Sequence, residues 1–495
     1  MEVFLSWLAT VGELFSKIWS NIYAVFEKAV FFCDGIFNGT MITIPLGSGK
    51  VLEISFLVIL LVAMGVYFTI RTKALQIRHL PNMLRTAAEK SDKTDKKALS
   101  GWQALIVSTA TRVGMGNLAG VVAAISVGGA GAVFWMWITA LIGSATAFVE
   151  ATLAQKYKQP DPLYGGYRGG PAYYIHALVE KWKGKKIKKS ILATLFAVSG
   201  LICWCGISQV VGNSVTEAFY NEFNVKPIYT IIVLVAFAAV IVLRKNATVK
   251  VLDIMVPIMA GCFFVITVVI ILMNITRLPE VIARIFSEAF GITQIAGGGI
   301  GAVIMQGVKR GLFSNEAGSG SAPCAAAAAD SDNPAKTGLM QSMGVFIDTL
   351  VICSCTAFIM LLVPENVVEG MGGMALLQTA MNYHLGSFGG IFITVTLWLF
   401  AFSTFVGVLF YARSNIAYVF GDKMKAQTIY KVVALIMLFI GGIGTYTAVW
   451  AMSDVGIALM TVFNVIAIVP MCKESLEVLK EYEKARKTLK SEKKK

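Results

Sequence analysis

The chain alternates long apolar runs with short segments rich in Lys and Arg. Phe56–Ile70, Ile228–Leu243 and Met255–Met273 are three of these runs, and they approach or reach the roughly 20 residues that an α-helix needs to cross a bilayer. The basic residues crowd the segments between runs, a pattern typical of cytoplasmic loops. The pattern predicts an all-α, polytopic membrane protein.

The order of runs and basic loops predicts eleven transmembrane helices, one extra N-terminal span followed by two sets of five. Basic residues after the first span place that end in the cytoplasm, so the N-terminus lies outside and the C-terminus inside. Because five is an odd number, the second set of five spans crosses the membrane in the opposite orientation to the first. Such an inverted repeat is typical of secondary transporters. The predicted segments are an extracellular, interfacial amphipathic stretch at 1–50, the extra span and a basic loop at 51–98, a first repeat at 99–275, an extracellular loop at 276–292, a second repeat at 293–470 and a basic cytoplasmic tail at 471–495.

Each predicted repeat opens with a glycine-rich interruption of an apolar run. The first includes Gly114 and Gly116, and the second includes Gly297, Gly298 and Gly299. Glycine inside a helix costs about 1 kcal/mol relative to alanine, and a pair of broken hydrophobic segments points to a transporter's binding site. A tight helix crossing also needs small residues, but the matched pair of interruptions favours a binding site.

Unwound backbone at these interruptions offers both donors and acceptors to a ligand. We expect the N–H groups around Gly116 and Asn117 to bind a substrate carboxylate, and carbonyls freed around Gly297–Gly299 to bind its ammonium group. Carbonyls of the first half-helix suit Na⁺, and Thr111 and Asn117 add side-chain oxygens there.

Polar side chains elsewhere in apolar runs are further candidates. Ser403 and Thr404 lie in the middle of a predicted span; they either bond to the carbonyl four residues back or, beside an unwound helix, bind Na⁺. Gln209 either contacts substrate or joins two helices, because a buried amide needs partners.

Charged residues also occur within or at the edge of these runs, where such groups face the bundle interior and are paired by default. They are Arg112, Glu150, Asp253, Asp348 and Asp454. Glu150 lies near a predicted cytoplasmic end, whereas Asp348 lies deeper. Titration of Asp348 or Glu150 would make the protein a proton-coupled transporter, which is the alternative to sodium coupling.

Composition and charge exclude several other functions. The chain is 56% hydrophobic and 15% charged, whereas a soluble domain is about 25% charged. The net charge is +14, and because the basic residues lie in loops, no nucleic acid partner is expected. Membrane lipids are expected partners, and no obligate protein partner is inferred. There is no Cys-x-x-Cys pair and no Ser-His pairing, which argues against an enzyme. Gly114-x-Gly116-x-x-Ala119 matches a dinucleotide fingerprint but lacks the preceding strand.

Four motifs resemble those of the alanine or glycine:cation symporter family. They are Thr111–Val121, Gly131–Trp137, Phe313–Pro323 and Gly344–Thr349, and the likeness extends from about Leu52 to Pro470. The resemblance implies the five-plus-five inverted-repeat fold of amino acid–polyamine–cation transporters, with one extra N-terminal helix. It also implies Na⁺-coupled symport of small neutral amino acids, by alternating access across the plasma membrane.

The resemblance also implies roles for individual residues. Asn117 and Gln209 would contact a small amino acid, and Phe313–Gly318 would be a cytoplasmic loop. The Na⁺ ligands would be the carbonyls of Ala110 and Val113 and the side chains of Ser403 and Thr404.

One departure from the family concerns Val408, which stands where the family often has a tryptophan bordering the substrate pocket. Without the indole, the pocket would admit a substrate whose side chain is larger than a methyl group, such as glutamine. Alternatively, Phe402 or Phe405 fills the space.

Overall fold

A computed structural model describes residues 24–47, 50–88, 109, 112–244, 247–291 and 299–492. Among them, seven helices are long and apolar enough to cross a membrane, and three shorter helices are also apolar. The prediction of a predominantly helical membrane protein is therefore confirmed. The count of eleven spans and the inverted repeat stay predictions.

The helices before the second predicted repeat follow the apolar runs closely. They are α1 (24–38), α2 (Phe56–Arg71), α3 (Leu75–Arg78), α4 (Leu80–Ala88), α5 (Gly116–Gly128), α6 (Gly131–Lys156), α7 (Pro171–Lys183), α8 (Ile191–Phe223), α9 (Pro227–Val242), α10 (Ala247–Met273) and α11 (Leu278–Ala289).

The later helices are α12 (Ile300–Asn315), α13 (Ala322–Ala328), α14 (Pro334–Leu361), α15 (Glu365–Val368), α16 (Gly373–Leu385), α17 (Ser387–Phe420), α18 (Met424–Ile443) and α19 (Tyr446–Glu492). Two stretches are π-helical, the first turns of α5 at Gly116–Gly120 and the middle of α14 at Phe346–Cys353.

Short antiparallel strands correct the all-α prediction. Strand β1 (Thr40–Gly47) pairs with β2 (Lys50–Ser55), and β3 (Gln159–Pro160) pairs with β4 (Tyr167–Arg168). The first span consequently begins at Phe56 and not at residue 52, with the Ser55 hydroxyl accepting a hydrogen bond from the Val58 N–H. Alternating β-branched residues in β1 are the physical reason, since that pattern favours a strand.

Helix α8 lies at the centre of one group of helices and packs against α17, α18 and α19. Small residues permit these contacts. A Cβ atom on Gly441 would lie 2.1 Å from the Gln209 carbonyl oxygen, and one on Gly206 would lie 2.9 Å from Ser453 Cα. A second group forms around α6, which packs against α12 and α14. Close packing of small residues is the usual way in which membrane helices associate.

Helix α19 continues well beyond Pro470, where the sequence analysis ended the last span and began a separate tail. Strong helix formers fill residues 471–492, so the helix has no reason to stop. Its far half is held by ion pairs, from Glu474 to Lys156 at 2.7 Å and to Lys181 at 2.5 Å, and from Glu483 to Arg78 at 2.8 Å.

Substitution of Gly441 by alanine should destabilise the packing of α18 on α8. The new methyl group would overlap backbone atoms of Gln209, which cannot move as a flexible side chain can, and overpacking costs about 1–3 kcal/mol. Thermal unfolding in detergent would measure the effect. Gly261→Ala is the control, because nothing lies within 4 Å of a Cβ atom there. Equal unfolding temperatures for the two variants would contradict the assignment.

Candidate functional site

The first helix break consists of a tight turn at Val113–Gly114, directly before α5. The Gly114 N–H donates to the Arg112 carbonyl at 2.8 Å and to Asn117 Oδ1, also at 2.8 Å. An asparagine side chain can take over backbone partners in this way. Asn117 therefore holds the turn, and it is fully buried.

Gly116 serves the close approach of two elements. A Cβ atom on Gly116 would lie 2.8 Å from the Cα atom of Ser314 and 3.3 Å from the Phe313 ring. At this residue the small side chain is needed for a tight crossing. Gly116 is also part of the π-helical turn, so the unwound segment is shorter than the sequence suggested.

The break that meets the first one lies at Glu316–Ser321, between α12 and α13. Glu316, Gly318 and Gly320 have positive φ angles, which stop the helix. Of the expected second interruption, the structure describes Gly299, which is the extended N-cap of α12 and lies at the other end of that helix. Gly297 and Gly298 lie outside the described residues, as do Ala110 and Thr111.

The predicted cytoplasmic loop at Phe313–Gly318 is partly helical and largely buried in the structure. Phe313, Ser314 and Asn315 end α12, and together with Glu316 they are at most 8% exposed. Two basic residues of α12, Lys309 and Arg310, have side chains that are only 9% and 6% exposed.

The two breaks are joined through Asp348 of the π-helical stretch in α14. Asn117 Nδ2 donates to Asp348 Oδ1 at 2.8 Å and lies 3.2 Å from Ser314 Oγ. Ser314 Oγ donates to Asp348 Oδ2 at 2.9 Å, and Thr349 Oγ1 donates to the same oxygen at 2.7 Å. Asp348 is fully buried, so this cluster fixes both breaks relative to α14.

The second break is held by Glu150 of α6. The Gly318 N–H donates to Glu150 Oε1 at 3.1 Å, and Asn464 Nδ2 donates to Glu150 Oε2 at 2.9 Å and to the Gly318 carbonyl at 3.0 Å. The Tyr174 hydroxyl donates to Asn464 Oδ1. Glu150 is fully buried.

Helix α17 brings Thr404 to the first break. Thr404 Oγ1 accepts a hydrogen bond from the Met115 N–H at 3.0 Å and donates to the Phe400 carbonyl at 3.0 Å. The Ser403 hydroxyl donates to the Phe400 carbonyl at 2.8 Å. Thr404 thus lies beside the break as expected, whereas Ser403 bonds within its own helix, the other outcome considered for it.

Val408 is buried and follows Thr404 by one helical turn, so both residues lie on one face of α17. Phe402 points elsewhere, since its ring centroid lies 5.0 Å from that of Phe237 and 6.1 Å from that of Trp398. Phe402 therefore does not fill the space in front of Val408.

Gln209 is buried on α8 with an incomplete set of partners. Its Nε2 lies 3.4 Å from Met437 Sδ, and its Oε1 has no hydrogen-bond partner among the described residues. A buried acceptor without a partner is unusual. The contacts therefore do not join Gln209 to another helix through a strong hydrogen bond.

A charged and aromatic cluster beside the breaks was missed by the sequence analysis. Arg310 makes two hydrogen bonds to the Asp454 carboxylate, at 2.8 and 3.1 Å, and lies 4.4 Å from the Trp450 ring. Trp450 packs on Phe313 at 5.0 Å. Arg310 and Asp454 are 144 positions apart, and no local pattern pairs residues at that separation.

Among the described residues, no group of three or more His, Cys, Asp and Glu side chains could hold a metal ion. The centre instead combines hydroxyl, amide, carboxylate and backbone groups. Such a set suits recognition of a small polar molecule and of a hard monovalent cation.

Comparisons with known proteins agree with this chemistry. A family model described as the sodium:alanine symporter family matches residues 43–495. The probable sodium/glutamine symporter GlnT of Bacillus subtilis (strain 168) is 40% identical over 434 residues, covering 87% of this chain and 88% of GlnT. The sodium/alanine symporter AgcS of Methanococcus maripaludis is 36% identical over 438 residues, covering 87% and 95%.

The fold is similar to that of MhsT, solved in complex with L-phenylalanine. The TM-score is 0.51 at 11% sequence identity, covering 76% of this chain and 90% of that chain. At this identity the likeness concerns the fold alone.

Replacement of Asp454 by asparagine should strongly destabilise the protein. Lys309 and Arg310 would remain buried without their carboxylate, and breaking a buried ion pair costs about 3–5 kcal/mol. Unfolding in detergent would measure this loss. Glu365→Gln is the control, since its carboxylate is 72% exposed where it pairs with Arg284, and exposed pairs contribute about 0–1 kcal/mol. A change as small as that of the control would refute the role of Asp454.

Proposed function

This chain belongs to the sodium:alanine symporter family, and we propose that it carries a small neutral amino acid together with Na⁺ by alternating access. The family resemblance of its motifs is thereby confirmed. Like its relatives, the protein is a membrane transporter and not an enzyme.

One observation carries the proposal: two buried helix breaks meet at a polar centre, and a third helix brings a hydroxyl to them. A zwitterion needs donors for its carboxylate and acceptors for its ammonium group. We assign the carboxylate to backbone N–H groups near Gly114–Asn117. The ammonium group would bind carbonyls of Glu316–Ser321, the break that directly follows the Ser314 contact with Gly116. Gln209 Oε1 is a further buried acceptor that could serve the substrate.

The Na⁺ ion is assigned to the first break and α17. Thr404 lies 3.0 Å from the Met115 backbone, next to Val113. Carbonyls of Ala110 and Val113 with the hydroxyls of Ser403 and Thr404 would form an oxygen-rich site for a hard cation. Each charge carried inward gains about 2.3 kcal/mol per 100 mV of membrane potential, in addition to the sodium gradient.

The hydrogen bonds of the buried carboxylates favour Na⁺ over proton coupling. Both oxygens of Glu150 accept N–H groups, and both oxygens of Asp348 accept donors. A protonated carboxyl would need an acceptor for its own hydrogen. This pattern supports an ionised side chain at Glu150, whereas at Asp348 the hydroxyls of Ser314 and Thr349 could also accept a hydrogen bond.

We also propose the orientation with the N-terminus outside and the basic C-terminal end of α19 in the cytoplasm. The Lys and Arg residues at the ends of α2 and α6, in α7 and in the last turns of α19 support it, because cytoplasmic segments carry such an excess.

Sodium-driven alanine uptake into proteoliposomes should lose its Na⁺ response in Thr404→Ala. The substitution removes the hydroxyl and leaves the Met115 N–H unpaired. We therefore expect the apparent Na⁺ affinity to fall, by about tenfold for each 1.4 kcal/mol of Na⁺ binding free energy that is lost. Thr404→Ser keeps the hydroxyl and serves as control. Uptake by the unaltered protein that ignores the sodium gradient would refute the proposed function itself.

Glutamine uptake should be at least comparable to alanine uptake if Val408 leaves space for a longer side chain. Val408→Trp should then reduce glutamine uptake far more than alanine uptake, because the indole would occupy space facing the first break. Val395→Trp is the control, as Val395 lies on the outer surface of the same helix. An equal loss for both substrates would contradict the idea that Val408 sets the substrate size.

A further inference from the structure

Residues in the two halves of the chain correspond at a separation of 198 positions. Arg112, Asn117, Ala119 and Gly120 recur as Arg310, Asn315, Ala317 and Gly318, and Ser144, Phe148 and Glu150 recur as Ser342, Phe346 and Asp348. The structure contains a reciprocal contact at the same separation. Ser144 Oγ donates to the Ser342 carbonyl at 3.2 Å, and Ser342 Oγ donates to the Ser144 carbonyl at 2.7 Å.

A reciprocal contact of this kind is expected where a two-fold axis relates two equivalent segments. It supports the inverted repeat and makes Glu150 and Asp348 counterparts. Each of these carboxylates binds the helix break of the other half: Glu150 accepts from Gly318, and Asp348 accepts from Asn117.

The two carboxylates differ in the groups that surround them. Glu150 receives a backbone N–H and an amide N–H, which can only donate. Asp348 accepts hydrogen bonds from the hydroxyls of Ser314 and Thr349, and a hydroxyl can rotate to present a lone pair instead of its hydrogen. The counterparts of these two hydroxyl residues are Gly116 and Ala151, so the oxygen-rich surroundings exist in one half alone.

The backbone around Asp348 differs as well. Helix α6 is α-helical through Glu150, whereas α14 is π-helical from Phe346 to Cys353. A π-helical turn within an α-helix often marks a functional site. The Asp348 carbonyl oxygen lies only 3.2 Å from Asn117 Nδ2, so it belongs to the same cluster as the carboxylate.

The charges around this cluster are not balanced by side chains alone. Arg112 acts electrostatically on both Glu150 and Asp348, but its hydrogen bonds go to the carbonyl and side chain of Gln341. Among the described residues, Arg112 is the basic group that acts on both carboxylates, and the buried Glu316 adds a further acidic side chain at the second break. At Asp454, in contrast, Lys309 and Arg310 face two carboxylates, because Asp34 also lies within electrostatic range. Buried charge without compensation is costly.

We propose that Asp348, Ser314 and Thr349 form a second site for a monovalent hard cation, namely Na⁺, and that this ion travels with the substrate. The proposal rests on the proposed sodium-coupled function and adds an ion to it. On binding, the two hydroxyls turn their hydrogens away from the carboxylate and coordinate the ion. Asn117 then loses one of its several hydrogen-bond acceptors, so ion binding at this site changes the geometry of the first break.

A single hard charge fits this site better than a divalent or transition metal ion. Calcium and magnesium sites gather six or more oxygen ligands, often with several carboxylates, whereas here one carboxylate is present. A transition metal would favour sulfur or imidazole ligands, and among the described residues Cys353 is the one such side chain that contacts the cluster.

The number of charges moved per alanine tests the proposal. Reversal potentials in proteoliposomes holding the full chain should give about two positive charges per alanine. Asp348→Asn removes the charge but keeps the shape, so it should move one charge per alanine, and the Hill coefficient for Na⁺ should fall from near two towards one. A sodium-driven wild type that moves one charge, or an Asp348→Asn variant that still moves two, would overturn the second site.

Glu150→Gln is the matched control, because it alters the counterpart carboxylate in the other half. We expect weaker uptake with an unchanged number of charges per alanine, since Glu150 holds the break but binds no ion. A fall to one charge in this variant would assign the ion to the whole carboxylate pair and overturn the assignment to Asp348.

Two milder variants keep the proposal testable if Asp348→Asn fails to fold. Ser314→Ala and Thr349→Val each remove one oxygen ligand and should weaken the apparent Na⁺ affinity. Ser199→Ala is the control and should not, because the Ser199 hydroxyl donates to the Leu195 carbonyl of its own helix. Sodium affinities unchanged in both ligand variants would overturn the proposal. Absence of any sodium dependence in the unaltered protein would instead refute the proposed function.

Discussion

The structure depends on one constraint: backbone N–H and C=O groups freed inside a membrane must find partners within the protein. Both helix breaks free such groups, and each break is met by a buried carboxylate from a different helix. Glu150 binds the Gly318 N–H, while Asp348 binds Asn117, whose own oxygen pairs with Gly114. A broken helix can persist in the centre of the bundle because these partners are already in place.

The same arrangement makes the centre suitable for ligands. Backbone groups that are held in position lose little further entropy when a substrate binds. Small residues bring them within reach, since Gly116 lets Ser314 approach the first break. The hydroxyl of Thr404 comes from a third helix, so a movement of α17 relative to the breaks would alter the site. Alternating access needs such a division between elements that carry the site and elements that surround it.

How far the sequence predicted this centre differs from residue to residue. The clustered glycines predicted the first break, and the structure has a tight turn at Val113–Gly114 with Thr404 beside it. The sequence signalled a second break at Gly297–Gly299, where three glycines are consecutive. Its signal at Glu316–Ser321 was weaker, because Gly318 and Gly320 stand there among other small residues. Lys309 and Arg310 lie within α12 although a charge inside a membrane is normally costly, because they form ion pairs with Asp454 that offset this cost.

By itself, the sequence determined the helical membrane class, most span positions and the family, because hydrophobic periodicity, basic loops and long motifs are local signals. Tertiary structure decided which buried groups meet. Asn117 reaches Asp348 across 231 positions, and Asn464 reaches Glu150 across 314. Pairings of this kind follow from helix packing and have no signature along the chain. For the same reason, the structure alone could distinguish Ser403, which bonds within its helix, from its neighbour Thr404, which bonds to the break.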